Sequence, residues 1–75
     1  MPAFSAGDYG RAEQLFRTFE RDHPVDQRVE DALFLRAVAR SRRGDQDGAA
    51  AIARQYLRRY PSGLRRPDAE RIISP

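Results

Sequence analysis

The sequence predicts an all-α fold of antiparallel helical hairpins, with three full helices and a short fourth. Three observations predict it. Apolar residues recur at helical spacing in segments that Gly and Pro residues separate. The period-2 alternation of a half-buried strand is absent. The chain also matches itself at an offset of 37 residues, as repeated hairpins do. With 75 residues, such a chain forms one small module.

The first helix is predicted between Gly7-Asp8 and His23-Pro24. Asp8 is a favourable N-cap, and His23 ends the helix because the residue before a proline is kept out of the helical region. Glu13 and Arg17 are four residues apart in the favourable order, which predicts an ion pair on the helix surface. One apolar stripe consists of Ala12, Leu15, Phe16 and Phe19.

The second helix is predicted from Arg28 to Arg43, and Gly44 ends it. Apolar residues cover more than half of its circumference, which is typical of a helix that lies between two neighbours. We therefore expect this helix to be the packing centre, with Leu33 buried. Its apolar residues are Val29, Ala32, Leu33, Leu35, Ala37, Val38 and Ala39.

Asp45 is predicted to cap a third helix that ends near Arg59. The segment Tyr60-Pro61-Ser62-Gly63 reads as a turn, and Pro67 suits the first turn of a short fourth helix. The apolar stripe of the third helix consists of Ala49, Ile52, Ala53, Tyr56 and Leu57, and that of the fourth consists of Ala69, Ile72 and Ile73.

The charge is unevenly distributed along the chain. All 14 basic residues are Arg; residues 1–35 hold 4 of them against 7 acids, and residues 36–75 hold 10 against 4 acids. A basic half can attract an acidic protein, an anionic membrane surface or nucleic acid. Most arginines occupy polar positions of amphipathic helices, so a solvated face is favoured, an acidic protein partner comes second, and nucleic acid or a membrane surface is least favoured. No apolar run approaches the ~18 residues of a membrane span.

Pairs of residues 37 positions apart define an internal repeat. Gly-Asp, Ala and Pro recur in step, and so does an aromatic residue. At this spacing they resemble the tetratricopeptide repeat family. Arg36 and Arg40 depart from that family, which usually has a large apolar residue and an aromatic residue at these positions. The residues that carry the resemblance are Gly7, Ala12, Phe16, Phe19, Pro24, Ala37, Gly44, Ala49, Tyr56 and Pro61.

The resemblance implies a single repeat module over residues 1–75. Residues 4–24 would form the second half of one repeat, 28–61 a complete repeat, and 66–75 the start of a further repeat. The 37-residue period is three residues longer than usual and resembles repeats of bacterial cell-envelope proteins. Examples are the lipoprotein of the outer-membrane β-barrel assembly machine and the periplasmic coordinator associated with the Tol-Pal system. That likeness implies the periplasm or cell envelope, although we expect no secretion signal in residues 1–75.

The resemblance also implies a protein–protein interaction module that binds a peptide or a partner protein on its concave surface. Alternatively, Phe34 and Val38 are buried against a neighbouring repeat. We expect no enzyme, cofactor, metal or small-molecule site, because the chain has one histidine, no cysteine and no nucleophile or phosphate-binding motif. The family positions of the concave surface correspond to Asp31, Phe34, Val38, Ser41 and Arg42.

The alternative function is a structural or oligomerisation unit without a separate ligand. In that case both ends of the chain should expose apolar surface, which usually marks an interface. We expect the isolated chain to form a two-fold dimer, the commonest closed symmetry. The residues expected to be exposed are Phe4, Leu15 or Phe16 at one end and Ile72 and Ile73 at the other.

Overall fold

A computed structural model describes residues 8–74, which form α-helices joined by short turns. The predicted all-α class of helical hairpins is confirmed, and the predicted bounds of the second and third helices differ from the observed ones by at most one residue. Gly7 and Phe4 lie outside the described residues. The helices are α1 (Tyr9–Asp22), α2 (Arg28–Arg42), α3 (Gln46–Arg59) and α4 (Arg66–Ile73).

Local signals in the sequence explain most of the helix ends. Gly44 has a φ of +89°, a conformation that favours glycine. The Asp45 side chain accepts a 2.9 Å hydrogen bond from the Gly48 N–H and caps α3 as predicted. Asp8 occupies the equivalent position before α1, but its side chain accepts no capping hydrogen bond.

Helix α2 is the packing centre, as predicted. It packs against α1 on one side and α3 on the other, while α4 packs on α3 and touches α2. Leu33 is fully buried in the core. Ala12 and Ala49 are also fully buried, as expected of small residues where helices approach closely.

The fully buried Tyr56 of α3 fixes the turn that leads into α4. Its hydroxyl donates to Glu30 Oε2 (2.6 Å) and accepts a hydrogen bond from the Arg65 N–H (2.9 Å). The Leu64 N–H donates to the same Glu30 oxygen at 3.0 Å. Burial, with the hydrogen bond to Glu30, raises the pKa of Tyr56 to about 12. This network ties α4 to the start of α2.

The predicted surface pair between Glu13 and Arg17 is wrong. Glu13 is 4% exposed and accepts hydrogen bonds from Arg40 Nε (2.7 Å) and from an Arg43 guanidinium nitrogen (3.4 Å). The partner is on the neighbouring helix because Glu13 faces α2. Seven residues further along α1, Glu20 pairs at 3.0 Å with Arg36, which is itself 8% exposed.

The two ends of the helix stack differ in apolar exposure. Leu15 of α1 is 52% exposed, as expected. Ile72 and Ile73 of α4 are instead half-buried against the core, because α4 packs on α3. Phe4, expected to add to the first surface, lies outside the described residues.

Candidate functional site

Four of the five residues predicted for the concave surface line one cleft. Phe34, Val38, Ser41 and Arg42 follow one another along α2, spaced so that they share one face of the helix. Helix α4 forms the opposite wall. The cleft has a volume of about 210 Å³, and its α4 side is formed by Asp68, Arg71 and Ile72. We call it the α2–α4 cleft.

The floor of the α2–α4 cleft is apolar. Phe34 is 8% exposed and meets the Tyr56 ring edge-on, with ring centroids 6.1 Å apart. Val38 is half-buried beside it, and Ile72 faces it from α4. Phe34 is therefore a core residue and a floor residue together, while Val38 keeps more surface available to a ligand.

The rim of this cleft carries positive charge. Arg42 is exposed, and its side chain makes no ion pair or hydrogen bond within residues 8–74. Arg71 pairs with Asp68 across one turn of α4, so the charges of these two residues balance. Arg42 therefore gives the rim a net positive charge. The Ser41 hydroxyl donates to Gln46 Oε1 at 3.2 Å, which holds it towards the α2–α3 turn.

Asp31, the fifth predicted residue, does not line this cleft. It is exposed one turn before Phe34 and pairs with Arg65 at 3.7 Å. The Arg65 guanidinium also lies 5.6 Å from the centroid of the Phe34 ring. Arg65 therefore contacts both Asp31 and Phe34, while neither Asp31 nor Arg65 lines the α2–α4 cleft.

Sequence reasoning missed the α4 side of the cleft, although the signal was present. The 37-residue offset makes Asp68 the equivalent of Asp31 and Arg71 the equivalent of Phe34. Extending the concave positions of α2 by one repeat would have named both residues.

A second concave surface lies between α1 and α2, and we call it the α1–α2 groove. Its volume is about 340 Å³, and its lining is almost entirely apolar. Arg28 and Asp31 stand at its α2 side. The residues that line it are Leu15, Phe16 and Phe19 of α1 and Arg28, Asp31, Ala32 and Leu35 of α2.

The only histidine of the chain packs beside an aromatic ring at the end of α1. His23 is exposed at the end of α1, and its ring centroid lies 4.9 Å from that of Phe19. Nearby Asp26 accepts hydrogen bonds from the side chain and backbone of Arg28, and these lower its pKa to about 2. Residues 8–74 contain no group of three or more His, Asp or Glu side chains that could hold a metal ion.

Among the described residues, no helix combines the length and the apolar character that a membrane span requires.

A match to a known family falls on the two central helices. Residues 31–63 match the tetratricopeptide repeat. No match was found among curated proteins or among solved structures. The tetratricopeptide repeat is in general a protein–protein interaction module, so the match supports that class of function for this chain. Helices α2 and α3 provide most of the matched residues.

Proposed function

We propose that the chain is a tetratricopeptide-type scaffold that binds a peptide segment of a partner protein in the α2–α4 cleft. The observation that carries the proposal is the convergence of four concave-face residues of α2 with three residues of α4 around one apolar floor. The cleft is too small for a folded domain. It has room for one or two apolar side chains of an extended or helical segment.

The chemistry of the cleft favours a ligand with an apolar anchor beside an acidic residue. Val38 and Ile72 offer apolar contact above Phe34, and burying an apolar side chain there contributes about 1.5–3 kcal/mol. Arg42 can form a charge-assisted hydrogen bond with a ligand carboxylate, since it has no acidic partner within residues 8–74. In tetratricopeptide repeats that bind chaperone tails, Lys and Asn occupy the positions of Phe34 and Val38, so an apolar anchor replaces that carboxylate clamp here.

The distribution of ion pairs favours a protein partner over nucleic acid. Eight of the 14 arginines form ion pairs with acidic side chains within residues 8–74. These cations are partly neutralised, whereas binding to a phosphate backbone depends on clusters of available Lys and Arg.

The repeat boundaries and the cellular setting form the finer part of the proposal. We infer a half repeat at residues 4–24, a complete repeat at 28–61 and the start of another at 66–75. The 37-residue period supports a role in bacterial envelope assembly. Fractionation of cells that express the parent gene with a tag tests this setting, and recovery of the protein from the cytosol alone would contradict it.

Selection of short random peptides on the immobilised 75-residue chain tests the binding function. Enriched peptides should lose affinity by about tenfold or more for Val38→Glu, because a carboxylate on the floor opposes an apolar anchor. Arg42→Glu should weaken the acidic peptides among them. The matched controls are Val25→Glu, at a loop valine that is 96% exposed, and Arg17→Glu on α1.

Fluorescence anisotropy with the synthesised peptides measures these affinities, and circular dichroism shows whether each variant keeps its helices. The proposal fails if no peptide is enriched, or if Val38→Glu and Val25→Glu bind the selected peptides equally well.

A further inference from the structure

The α1 side of the α1–α2 groove has a close equivalent 37 residues later in the chain. Leu15 corresponds to Ile52 and Phe19 to Tyr56, so both pairs keep their apolar or aromatic character. The later residues are buried: Ile52 is 6% exposed and Tyr56 0%. Leu15, by contrast, is 52% exposed. One of two equivalent surfaces is therefore covered within residues 8–74, and Leu15 in the other remains accessible.

The α2 side of the groove repeats in the same way. Arg28, Ala32 and Leu35 of α2 correspond to Arg65, Ala69 and Ile72 at the start of and within α4. The two sets match in charge and apolar character. Together with the α1 side, they make the α1–α2 groove an equivalent of the surface that α3 and α4 present.

Helix α2 itself covers that equivalent surface. Its Leu33 and Phe34 join Ile52, Tyr56 and Ala69 in one core cluster. The Phe34 ring lies edge-on to Tyr56 and under the Arg65 guanidinium, while Asp31 pairs with Arg65. The surface formed by α3 and α4 therefore binds a helix that places an acidic residue and an aromatic residue on the same arginine.

We propose that the α1–α2 groove docks an amphipathic helix of a partner protein that carries the apolar pattern of α2. That pattern is an acidic residue followed by apolar residues two, three, six and seven positions later. In α2 these are Asp31, Leu33, Phe34, Ala37 and Val38. This surface is separate from the α2–α4 cleft, so the two proposals stand or fall independently.

Charge complementarity at Arg28 supports an acidic residue at the start of the docked helix. Arg28 is the equivalent of Arg65, and 73% of its side chain is exposed. Its guanidinium pairs with Asp26 at 3.0 Å and lies 5.2 Å from the centroid of the Phe19 ring. It therefore stands over an aromatic ring at the rim of the groove, where a carboxylate of an incoming helix can reach it.

A second copy of the chain does not fit this groove as well as a partner helix does. In α4, Glu70 and Arg71 occupy the positions of Leu33 and Phe34, so α4 lacks the apolar face that the groove requires. In α2, Leu33 is fully buried in the chain's own core. A second copy could offer α2 only by giving up that core.

The test uses a fluorescent synthetic peptide of residues 28–42, the sequence of α2, titrated with the complete 75-residue chain. Anisotropy should show saturable binding. Leu15→Glu should weaken it by about tenfold or more, because Leu15 lines the groove. Leu64→Glu is the matched control, since this leucine is 90% exposed on the α3–α4 turn; it should change the affinity by less than about twofold. Val38→Glu in the chain, with the peptide unmodified, should also leave this binding unchanged, because Val38 of the chain does not line the α1–α2 groove. This result separates the groove from the α2–α4 cleft.

A charge exchange tests the orientation of the helix. Arg28→Glu in the chain should weaken binding of the unmodified peptide and restore binding of a peptide in which Asp31 is replaced by Arg. Amide chemical shifts should change on α1 rather than on α3. The inference is overturned if no saturable binding occurs, if Leu15→Glu has no effect, or if the shifts show the peptide replacing α2 on α3. A dimer of the unmodified chain that Leu15→Glu dissociates would also overturn it, because a second copy would then occupy the groove.

Discussion

Tyr56 joins three parts of the molecule through one hydroxyl group. It donates to Glu30 at the start of α2 and accepts from the Arg65 N–H in the turn before α4. Gly63 lies so close to this pair that a Cβ atom there would come within 3.0 Å of both the hydroxyl and the Glu30 carboxylate. The turn therefore needs a residue without a side chain at this point. Gly63 is needed here because two side chains approach it closely, whereas Gly44 is needed because its φ is positive.

Tyr56→Phe should lower the free energy of unfolding by about 1–3 kcal/mol, because it removes two hydrogen bonds and leaves buried polar groups with fewer partners. The effect should depend on pH. Unfolded tyrosine ionises near pH 10, but the pKa of Tyr56 is about 12 in the folded chain. A raised folded pKa means that this stabilisation is complete below pH 10 and is lost as the pH rises towards 12.

Urea titrations of the two proteins between pH 8 and pH 11.5 measure this difference. The stability of the unmodified chain should approach that of Tyr56→Phe as the pH rises. A difference in the free energy of unfolding that stays constant over the whole pH range would contradict the raised pKa of the buried Tyr56 hydroxyl.

At the scale of elements, charged residues hold α1 against α2. Arg36 pairs with Glu20, and Arg40 bridges Glu13 and Asp45 at 2.7 and 3.0 Å. Two atoms of these groups, Glu13 Oε2 and Arg36 Nε, are buried without a hydrogen bond within residues 8–74. A buried ion pair with unsatisfied atoms contributes little net stability, but breaking it leaves an uncompensated charge.

Replacement of one partner should therefore cost more than replacement of both. Arg36→Leu alone should lower the free energy of unfolding by about 3 kcal/mol, because Glu20 remains nearly buried without its cation. Arg36→Leu combined with Glu20→Leu should be neutral or stabilising, since a large apolar residue suits this interface. Denaturant melts of the single and double variants measure the coupling. Additive effects of the two substitutions would show that Glu20 reaches solvent once Arg36 is gone.

The helices could be predicted from the sequence because their ends depend on local residues. Gly44, Asp45 and the His23-Pro24 pair act within one turn of themselves, and each ended or capped a helix as expected. The pairing of Glu13 could not be read in this way, because its partner Arg40 is 27 residues away. A usable signal did exist. Glu13 and Glu20 are seven residues apart on α1, and Arg36 and Arg40 are four residues apart on α2. Both pairs lie on helix faces that should be apolar, so the acidic residues could be matched with the arginines.

Four of the five residues predicted for the concave surface lie together in one cleft and the fifth does not, for a related reason. Helical periodicity places Phe34, Val38, Ser41 and Arg42 on one face, and the structure brings them to one cleft. Asp31 instead pairs with Arg65, which reaches it from the turn before α4. Periodicity within α2 contains no information about that contact.

For the whole molecule, stability depends on α2, because both neighbouring hairpin faces pack on it. Leu33→Ala should lower the free energy of unfolding by about 2–5 kcal/mol, the range for a large-to-small change in a core. A small domain has little more than this in total, so the variant should be largely unfolded at moderate temperature. Circular dichroism with a urea titration measures it. A loss below about 0.5 kcal/mol would contradict the central position of Leu33.

The ion pair between Glu20 and Arg36 also restricts how the repeats can be arranged during folding. Thirty-seven residues later, the equivalent positions are Leu57 and Ile73, which lie against the apolar core. If α2 and α4 exchanged places, Arg36 would be placed against Leu57, and Ile73 against Glu20. Either misassembly would bury a charge without its counterion. Charge thus discriminates between α2 and α4, and the native order of the hairpins is selected against its permutation.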